Sequence, residues 1–117
     1  MSLALATNLA CPASITDRQE AHSIPSGWKA QSSSGPRLLR NVDVYSGLPK
    51  RNFLLVGSDV PSNITVWTFS GQQDIWVECR YENSAIVLTR NMGKIKKCNL
   101  TPRKGGSLEG AKFSCSR

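Results

Sequence analysis

Short runs of alternating apolar and polar residues, separated by turn residues at close intervals, make up most of the chain. Residues 38–45 alternate with a period of two, as in a half-buried strand, and residues 27–31 fit a second strand before them. Ser, Gly and Pro at 32–36 predict a loop between the two. Residues 15–21 fit a helical turn or an edge strand equally well. This spacing of strands and turns indicates an all-β domain.

The stretch 64–90 is richest in β-branched and aromatic residues, and it predicts three consecutive antiparallel strands. We expect residues 70–73 to close the first hairpin. In that register Trp67 faces Trp76 and Ile64 faces Cys79.

The second hairpin of this stretch turns at Asn83-Ser84, so that Cys79 faces Leu88. The two registers agree with each other. Because side chains alternate between the faces of a sheet, one face collects the apolar residues and is the predicted core face. Its members are Ile64, Val66, Ile75, Val77, Cys79, Tyr81, Ile86 and Leu88.

The opposite face of these strands brings Trp67, Phe69 and Trp76 together as a cross-strand aromatic group. Two interpretations stay open. In one, this face packs against the strands at 27–31 and 38–45, as in a sandwich, and the tryptophans are structural. In the other, the face is open and forms a binding surface with Trp76 as its anchor.

The four cysteines are an even number in a small chain, which favours two disulfides. A zinc site would need close cysteine pairs, and the spacing here provides none. The predicted register puts Cys98 two strands from Cys79, about 10 Å away and beyond disulfide reach. Of the three connectivities, the register therefore favours Cys98 with Cys115 and Cys11 with Cys79.

A chain of 117 residues buries one modest core, so we expect a single domain over residues 7–117. Residues 1–6 fit a cloning scar followed by the small-x-small remnant of a signal-peptidase site. The predicted fold is all-β and mainly antiparallel, a small disulfide-bonded β-sandwich or partly closed barrel. Apolar runs of about four residues are too short to cross a bilayer. We expect a periplasmic protein with no transmembrane segment.

The net charge of +7 is carried entirely by residues 90–117, because residues 1–89 balance. This basic region predicts an acidic protein or an anionic envelope component as partner, and the alternative is a merely solubilising face. Nucleic acid is not expected, since Phe113 is the only aromatic residue in this region. The six residues that we single out are Arg90, Lys94, Lys96, Lys97, Arg103 and Lys104.

A set of short motifs is spread in order along most of the chain. Its members are Cys11-Pro12, Gly27-Trp28, Val44-Tyr45-Ser46-Gly47 with Pro49, Trp67-Thr68-Phe69, Trp76 with Cys79-Arg80-Tyr81, Leu88-Thr89-Arg90, Cys98 and Cys115. In these residues the chain resembles a family of small exported Gram-negative proteins that is known by a locus-style name and has no established activity. The resemblance implies export and a cysteine framework, and it brings no catalytic residues.

Catalytic constellations are not visible in the sequence. His22 is the only histidine and sits in a predicted loop beside Ser23. Glu78 fits an ion pair or plain exposure better than one half of a carboxylate pair. We expect no enzyme activity, no cofactor and no metal.

The function that fits these features is a non-catalytic protein-binding module, for example an immunity protein or an inhibitor that neutralises a cell-wall hydrolase in the periplasm. The alternative is an envelope-associated protein whose basic C-terminal region binds anionic lipid or lipopolysaccharide. An enzyme is the third possibility and would require a deep pocket lined by converging polar groups.

Overall fold

Two antiparallel sheets make up the fold in a computed structural model that describes residues 9–60, 63–105 and 108–117. The predicted all-β, disulfide-bonded class is confirmed, with one sheet curled as half a barrel. The predicted scar and signal-peptide remnant at 1–6 lie outside the described residues. The elements are β1 (Ser14–Gln19), β2 (Ser33–Ser46), a 3-10 turn (Pro49–Arg51), β3 (Leu54–Leu55), β4 (Ser58–Val60), β5 (Ile64–Thr68), β6 (Ile75–Tyr81), β7 (Val87–Asn91), β8 (Lys97–Thr101) and β9 (Lys112–Ser116).

The larger sheet is organised around the long strand β2. Strands β1 and β3 pair along one side of β2, strand β6 pairs along the other, and β7 lies outside β6. A bulge between Leu39 and Asn41 interrupts the pairing of β2 with β6. The smaller sheet has the order β4-β5-β8-β9. A single core of buried residues draws on both sheets.

Strand β6 follows the predicted alternation along its whole length. Ile75, Val77, Cys79 and Tyr81 are buried, and the residues between them are half-buried on the other face. The hairpin to β7 is confirmed, because Cys79 lies opposite Leu88. Asn83 in its turn has a φ of 55°, which asparagine tolerates better than most residues. Ile86 is 45% exposed, however, and belongs to the turn instead of the core face.

The predicted loop at 32–36 is wrong, because β2 begins at Ser33 and pairs with β1 from there. Pro36 is tolerated in this strand because it lies past the end of β6, whose last residue, Tyr81, pairs with Leu39. On the β6 side of β2 no strand is therefore left without a hydrogen bond by the missing N–H of Pro36. Residues 27–31 form no strand. Of the two structures left open for residues 15–21, the edge strand is the one observed.

The predicted hairpin between β5 and β6 is also wrong. Trp67 of β5 lies opposite Cys98 of β8, and β5 and β6 belong to different sheets. The backbone N–H of Phe69 donates to the Lys96 carbonyl at 2.8 Å, and Gly71 at a φ of 83° redirects the chain into the larger sheet. The segment between the strands therefore crosses from one sheet to the other, and β5 presents Trp67 to the core instead of Ile64 and Val66.

Both disulfides have the predicted pairing. Cys98 and Cys115 are direct cross-strand neighbours in the smaller sheet, with Cα atoms 4.0 Å apart. Cys11 is joined to Cys79, and no free cysteine remains among the described residues. Cys79 lies in the larger sheet and Cys98 in the smaller one, so the two are not two strands apart in one sheet as expected. Residues 105–107, whose glycines and serine suit a turn between β8 and β9, lie largely outside the described residues.

Candidate protein-binding site

A cleft of about 580 Å³ opens between strand β7 and the N-terminal segment of the described chain. We call it the β7 cleft. Val77 and the Cys11–Cys79 disulfide lie along it, with Leu88 of β7 on one side and Ala10 of the N-terminal segment on the other. These groups are apolar, whereas the exposed Arg90 adds a positive charge at the same opening. The combination suits recognition of an apolar group that lies next to an anionic one.

The outer side of β7 pairs with no other strand among the described residues. The N-terminal segment opposite it is held by backbone hydrogen bonds to β9, from Cys11 N–H to the Phe113 carbonyl at 3.3 Å and from Cys115 N–H to the Leu9 carbonyl at 2.8 Å. The two sides of the cleft thus belong to different sheets, and the disulfide connects them.

The predicted aromatic group does not form. Trp67 is 7% exposed, and its ring meets Phe113 edge-on with centroids 5.9 Å apart. Its indole N–H donates to the Leu55 carbonyl at 3.2 Å. Phe69 is half-buried against the core, while Trp76 lies half-buried on the outer face of the larger sheet. Trp76 is therefore separated from Trp67 and Phe69, because β5 and β6 lie in different sheets.

The six basic residues are divided between the two ends of β8 and the edge strand β7. Lys94, Lys96 and Lys97 precede or open β8, whereas Arg103 and Lys104 follow its end. A five-residue strand separates its ends by about 13 Å at roughly 3.3 Å per residue. The charge is therefore distributed over two groups, with Arg90 in β7 apart from both.

Lys94 and Arg103 make ion pairs with acidic residues that come earlier in the chain. Arg103 is 2.7 Å from Glu82, and Lys94 is 3.9 Å from Asp74. All six side chains are exposed. The predicted basic region therefore remains available to solvent, although part of its charge is neutralised locally.

A family model for the type VI secretion system Tli immunity protein matches residues 31–116. The chain belongs to this Tli immunity protein family. No curated protein and no solved structure matches it. The resemblance noted from the sequence implied no activity, whereas the family that matches carries an immunity role. The non-catalytic protein-binding function expected from the sequence is thereby supported.

Immunity proteins bind a partner effector protein and are typically non-catalytic. The matched region of this immunity protein includes β2 to β9 and therefore the β7 side of the cleft. The Ala10 side, together with Cys11, precedes the matched region. Two disulfides fit an oxidising compartment.

The outer face of the larger sheet carries a polar network in this immunity protein. Arg80 donates to Asp43 at 2.8 Å and to Glu78 at 3.2 Å, and the Tyr45 hydroxyl donates to Glu78 at 2.8 Å. Burial and the Glu78 carboxylate raise the pKa of Tyr45, and the hydrogen bond to Asp43 raises the pKa of Arg80. Of the two roles expected for Glu78, the ion pair is the one observed, and this network braces β2 against β6.

A second network, which the sequence did not reveal, ties β1 to the turn before β7. Arg37 is buried and donates to Asp17 at 2.7 Å and to the Ser33 hydroxyl at 2.6 Å. The Ser84 hydroxyl also donates to Asp17. These hydrogen bonds, that of Ser84 foremost, lower the pKa of Asp17.

An exposed apolar segment was also missed. Phe53 is 62% exposed, Leu54 50% and Val56 91%, in the stretch that crosses from β3 in the larger sheet to β4 in the smaller. The sequence shows this segment as a continuous apolar run at 53–56, a pattern that is typical of a buried strand and not of an exposed segment. Only Leu54 and Leu55 of this run pair with β2 in the described structure, so most of the run stays exposed to solvent.

Groups for metal binding are not assembled in the part of the chain described. No cluster of three or more His, Cys, Asp or Glu side chains is suitable for a metal ion there. His22 lies exposed in the loop after β1. No helix among the described residues is long and apolar enough to span a membrane.

Proposed function

We propose that this immunity protein binds a toxic effector of a type VI secretion system in the periplasm and holds it inactive as a stoichiometric complex. The family match over residues 31–116 is the observation that carries the proposal. The β7 cleft and the exposed basic groups give a surface on which a protein partner can dock. The inhibition requires binding alone.

The proposed compartment follows from the cysteines. Each disulfide has at least one cysteine buried in the core, since Cys11, Cys79 and Cys98 are at most 7% exposed. A small domain with two such links is suited to an oxidising compartment. Export through a signal peptide is part of the same proposal.

The proposed partner is acidic at the surface that meets this protein. Between Glu82 and Glu109 the chain contains no acidic residue, and the six basic residues all lie in this interval. Opposite charge on the effector would speed encounter by long-range attraction, which salt screens. We expect the association rate to fall as ionic strength rises, with a smaller change in the dissociation rate.

Protection of cells tests the function. The effector whose gene neighbours that of this chain is directed to the periplasm of a sensitive host, alone or with the immunity protein. We expect survival only when the immunity protein is also exported. Equal survival with a version confined to the cytoplasm would contradict the periplasmic assignment, and death in both cases would contradict the immunity function.

Titration of the purified effector distinguishes binding from catalysis. We expect inhibition to be complete near one immunity protein per effector and to reverse when the complex is dissociated. Lasting inactivation of a large excess of effector by a trace of the protein would show an enzyme instead.

A further inference from the structure

We propose that strand β7 is the docking edge for the effector, which adds an extended segment alongside β7 and places an apolar side chain in the β7 cleft beside an acidic one. This inference rests on the proposed function and specifies how the partner is bound. A peptide segment that pairs with the edge of a sheet gains affinity from main-chain hydrogen bonds. Pockets beside the edge then recognise its alternate side chains.

The outer side of β7 carries backbone N–H and C=O groups that pair with no strand among the described residues. Met92 N–H donates to the Ile75 carbonyl at 2.8 Å, and Ile75 N–H donates to the Gly93 carbonyl at 3.0 Å, so both backbone groups of Ile75 face β7. Residues of an antiparallel pair alternate between facing the partner and facing away. Val77 and Cys79 therefore bond toward β7.

The register then assigns the orientation of each β7 residue. Arg90 lies opposite Val77 and Leu88 opposite Cys79, so their backbone groups point inward to β6. The N–H and C=O groups of the alternating residues point outward, and these are the groups that an added strand would bond. The outward residues are Val87, Thr89 and Asn91.

The other sheet edges are less suitable for strand addition. The outer side of β9 is occupied by the N-terminal segment through Cys11 and Leu9. Strand β4 is only three residues long. Strand β1 is polar apart from Ile15 and carries charged side chains, which discourage pairing with another chain. Among the described edges, β7 combines length with an adjoining apolar cleft.

The β7 cleft lies on the face of the larger sheet that carries the side chains of Leu88 and Arg90. Leu88 and Arg90 share the face of Cys79 and Val77, because cross-strand partners project to the same side of a sheet. Alternate side chains of a strand added beside β7 would project over the same opening. One of them would contact Leu88 and the disulfide, and its neighbour two residues along would lie next to Arg90.

The charge of this edge selects an acidic segment over a basic one. Strand β7 contains Arg90 and no acidic residue. A carboxylate on the added strand would lie opposite or diagonal to Arg90, where opposite charges are favourable and like charges are not. The partner segment is therefore an extended stretch with alternating apolar and acidic side chains.

Thr89→Pro tests the docking edge directly. The substitution removes an outward N–H, and proline is tolerated on the free side of an edge strand. We expect binding of the effector encoded beside this gene to weaken at least tenfold while thermal unfolding stays cooperative. Arg90→Glu should weaken binding as well, and more at low salt than at high salt.

Thr16→Pro is the matched control on the opposite edge. The Leu38 carbonyl accepts from Glu82 N–H, so Leu38 faces β6, and Ser14 across from it has its backbone outward. The backbone N–H and C=O of Thr16, two residues further along β1, point outward too. We expect affinity within about twofold of the native protein. Equal weakening by both proline variants would contradict the inference.

Hydrogen exchange on the unmodified protein provides the second measurement. On complex formation with the same effector, we expect slowed exchange at the amides of Val87, Thr89 and Asn91. Protection confined to residues 53–60 would overturn the β7 assignment, as would a folded Thr89→Pro protein that binds normally. Absence of any binding by the native protein would instead overturn the proposed function.

Discussion

Cys11 and Cys79, which are 68 residues apart in the chain, are joined by a disulfide with Cα atoms 6.0 Å apart. Through this bond the N-terminal segment, which is hydrogen-bonded to β9 of the smaller sheet, is fixed to β6 of the larger sheet. The bond also lines the β7 cleft. Stability and the shape of the proposed binding site therefore depend on the same link.

Removing each disulfide should destabilise the protein to a different extent. In the chain-entropy description, a bond that closes a longer loop restricts the unfolded chain more, which gives about 4 kcal/mol for Cys11–Cys79 and about 3 kcal/mol for Cys98–Cys115. We expect the C11A/C79A protein to unfold at lower urea than the C98A/C115A protein. The reverse order would mean that the native packing of Cys98 contributes more than loop closure does.

Replacing Trp67 should test its place in the core. Trp67→Ala removes a large buried ring and its contact with Phe113, so we expect a loss of about 3–5 kcal/mol in the free energy of unfolding. Trp28, at 75% exposed, is the matched control, and Trp28→Ala should change stability by about 0.5 kcal/mol or less. Chemical denaturation followed by circular dichroism measures both. Similar losses in the two variants would contradict the buried position of Trp67.

Gly110 should not accept even one methyl group. A Cβ atom there would lie 2.7 Å from the Leu39 carbonyl oxygen and 2.8 Å from its nitrogen, and neither backbone atom can move aside cheaply. We expect Gly110→Ala to cost on the order of 1–3 kcal/mol. Gly105→Ala is the control, because no atom lies within 4 Å of the added carbon. Thermal unfolding of the two variants should differ clearly.

Asp17 should contribute to the acid sensitivity of the fold. Hydrogen bonds from Ser84 and Arg37 hold its pKa below the ordinary value of 3.8. Its stabilising contribution is therefore complete above that value and is lost as the pH falls through the lowered pKa. We expect Asp17→Asn to destabilise the protein at pH 7, with the difference from the native protein shrinking in stronger acid.

The matched control for this experiment is Glu20→Gln. Glu20 pairs with Arg18 at 2.7 Å, but both side chains are more than half exposed, so the pair contributes little. Urea unfolding at a series of pH values compares the two variants. A constant difference between Asp17→Asn and the native protein down to the most acidic pH would contradict the role of the carboxylate.

Local patterns in the sequence predicted the strands whose neighbours are close in the chain. The β6–β7 hairpin and the Cys98–Cys115 pair follow from alternation and turn residues, because their partners are within about 20 residues. The β5–β6 hairpin failed for a physical reason: alternation determines which side chains share a face, and it does not determine which strand lies alongside. The crossing at Gly71 sends these two strands to different sheets.

The candidate site was predicted only in part. Arg90 was singled out by charge and lies at the β7 cleft, but the cleft itself requires the N-terminal segment to lie beside β9, a contact over about 100 residues that no local signal carries. The proposed role of Trp67 in binding required an open sheet face, and the residue packs into the core instead.

The connectivity of the disulfides has a consequence for how the protein matures. The first cysteine along the chain is joined to the second, and the third to the fourth. In an exported chain that emerges N-terminus first, an oxidase that links each new cysteine to the one waiting before it produces the native arrangement directly. Maturation of this protein should then be independent of a disulfide isomerase, since there is no wrong bond to rearrange.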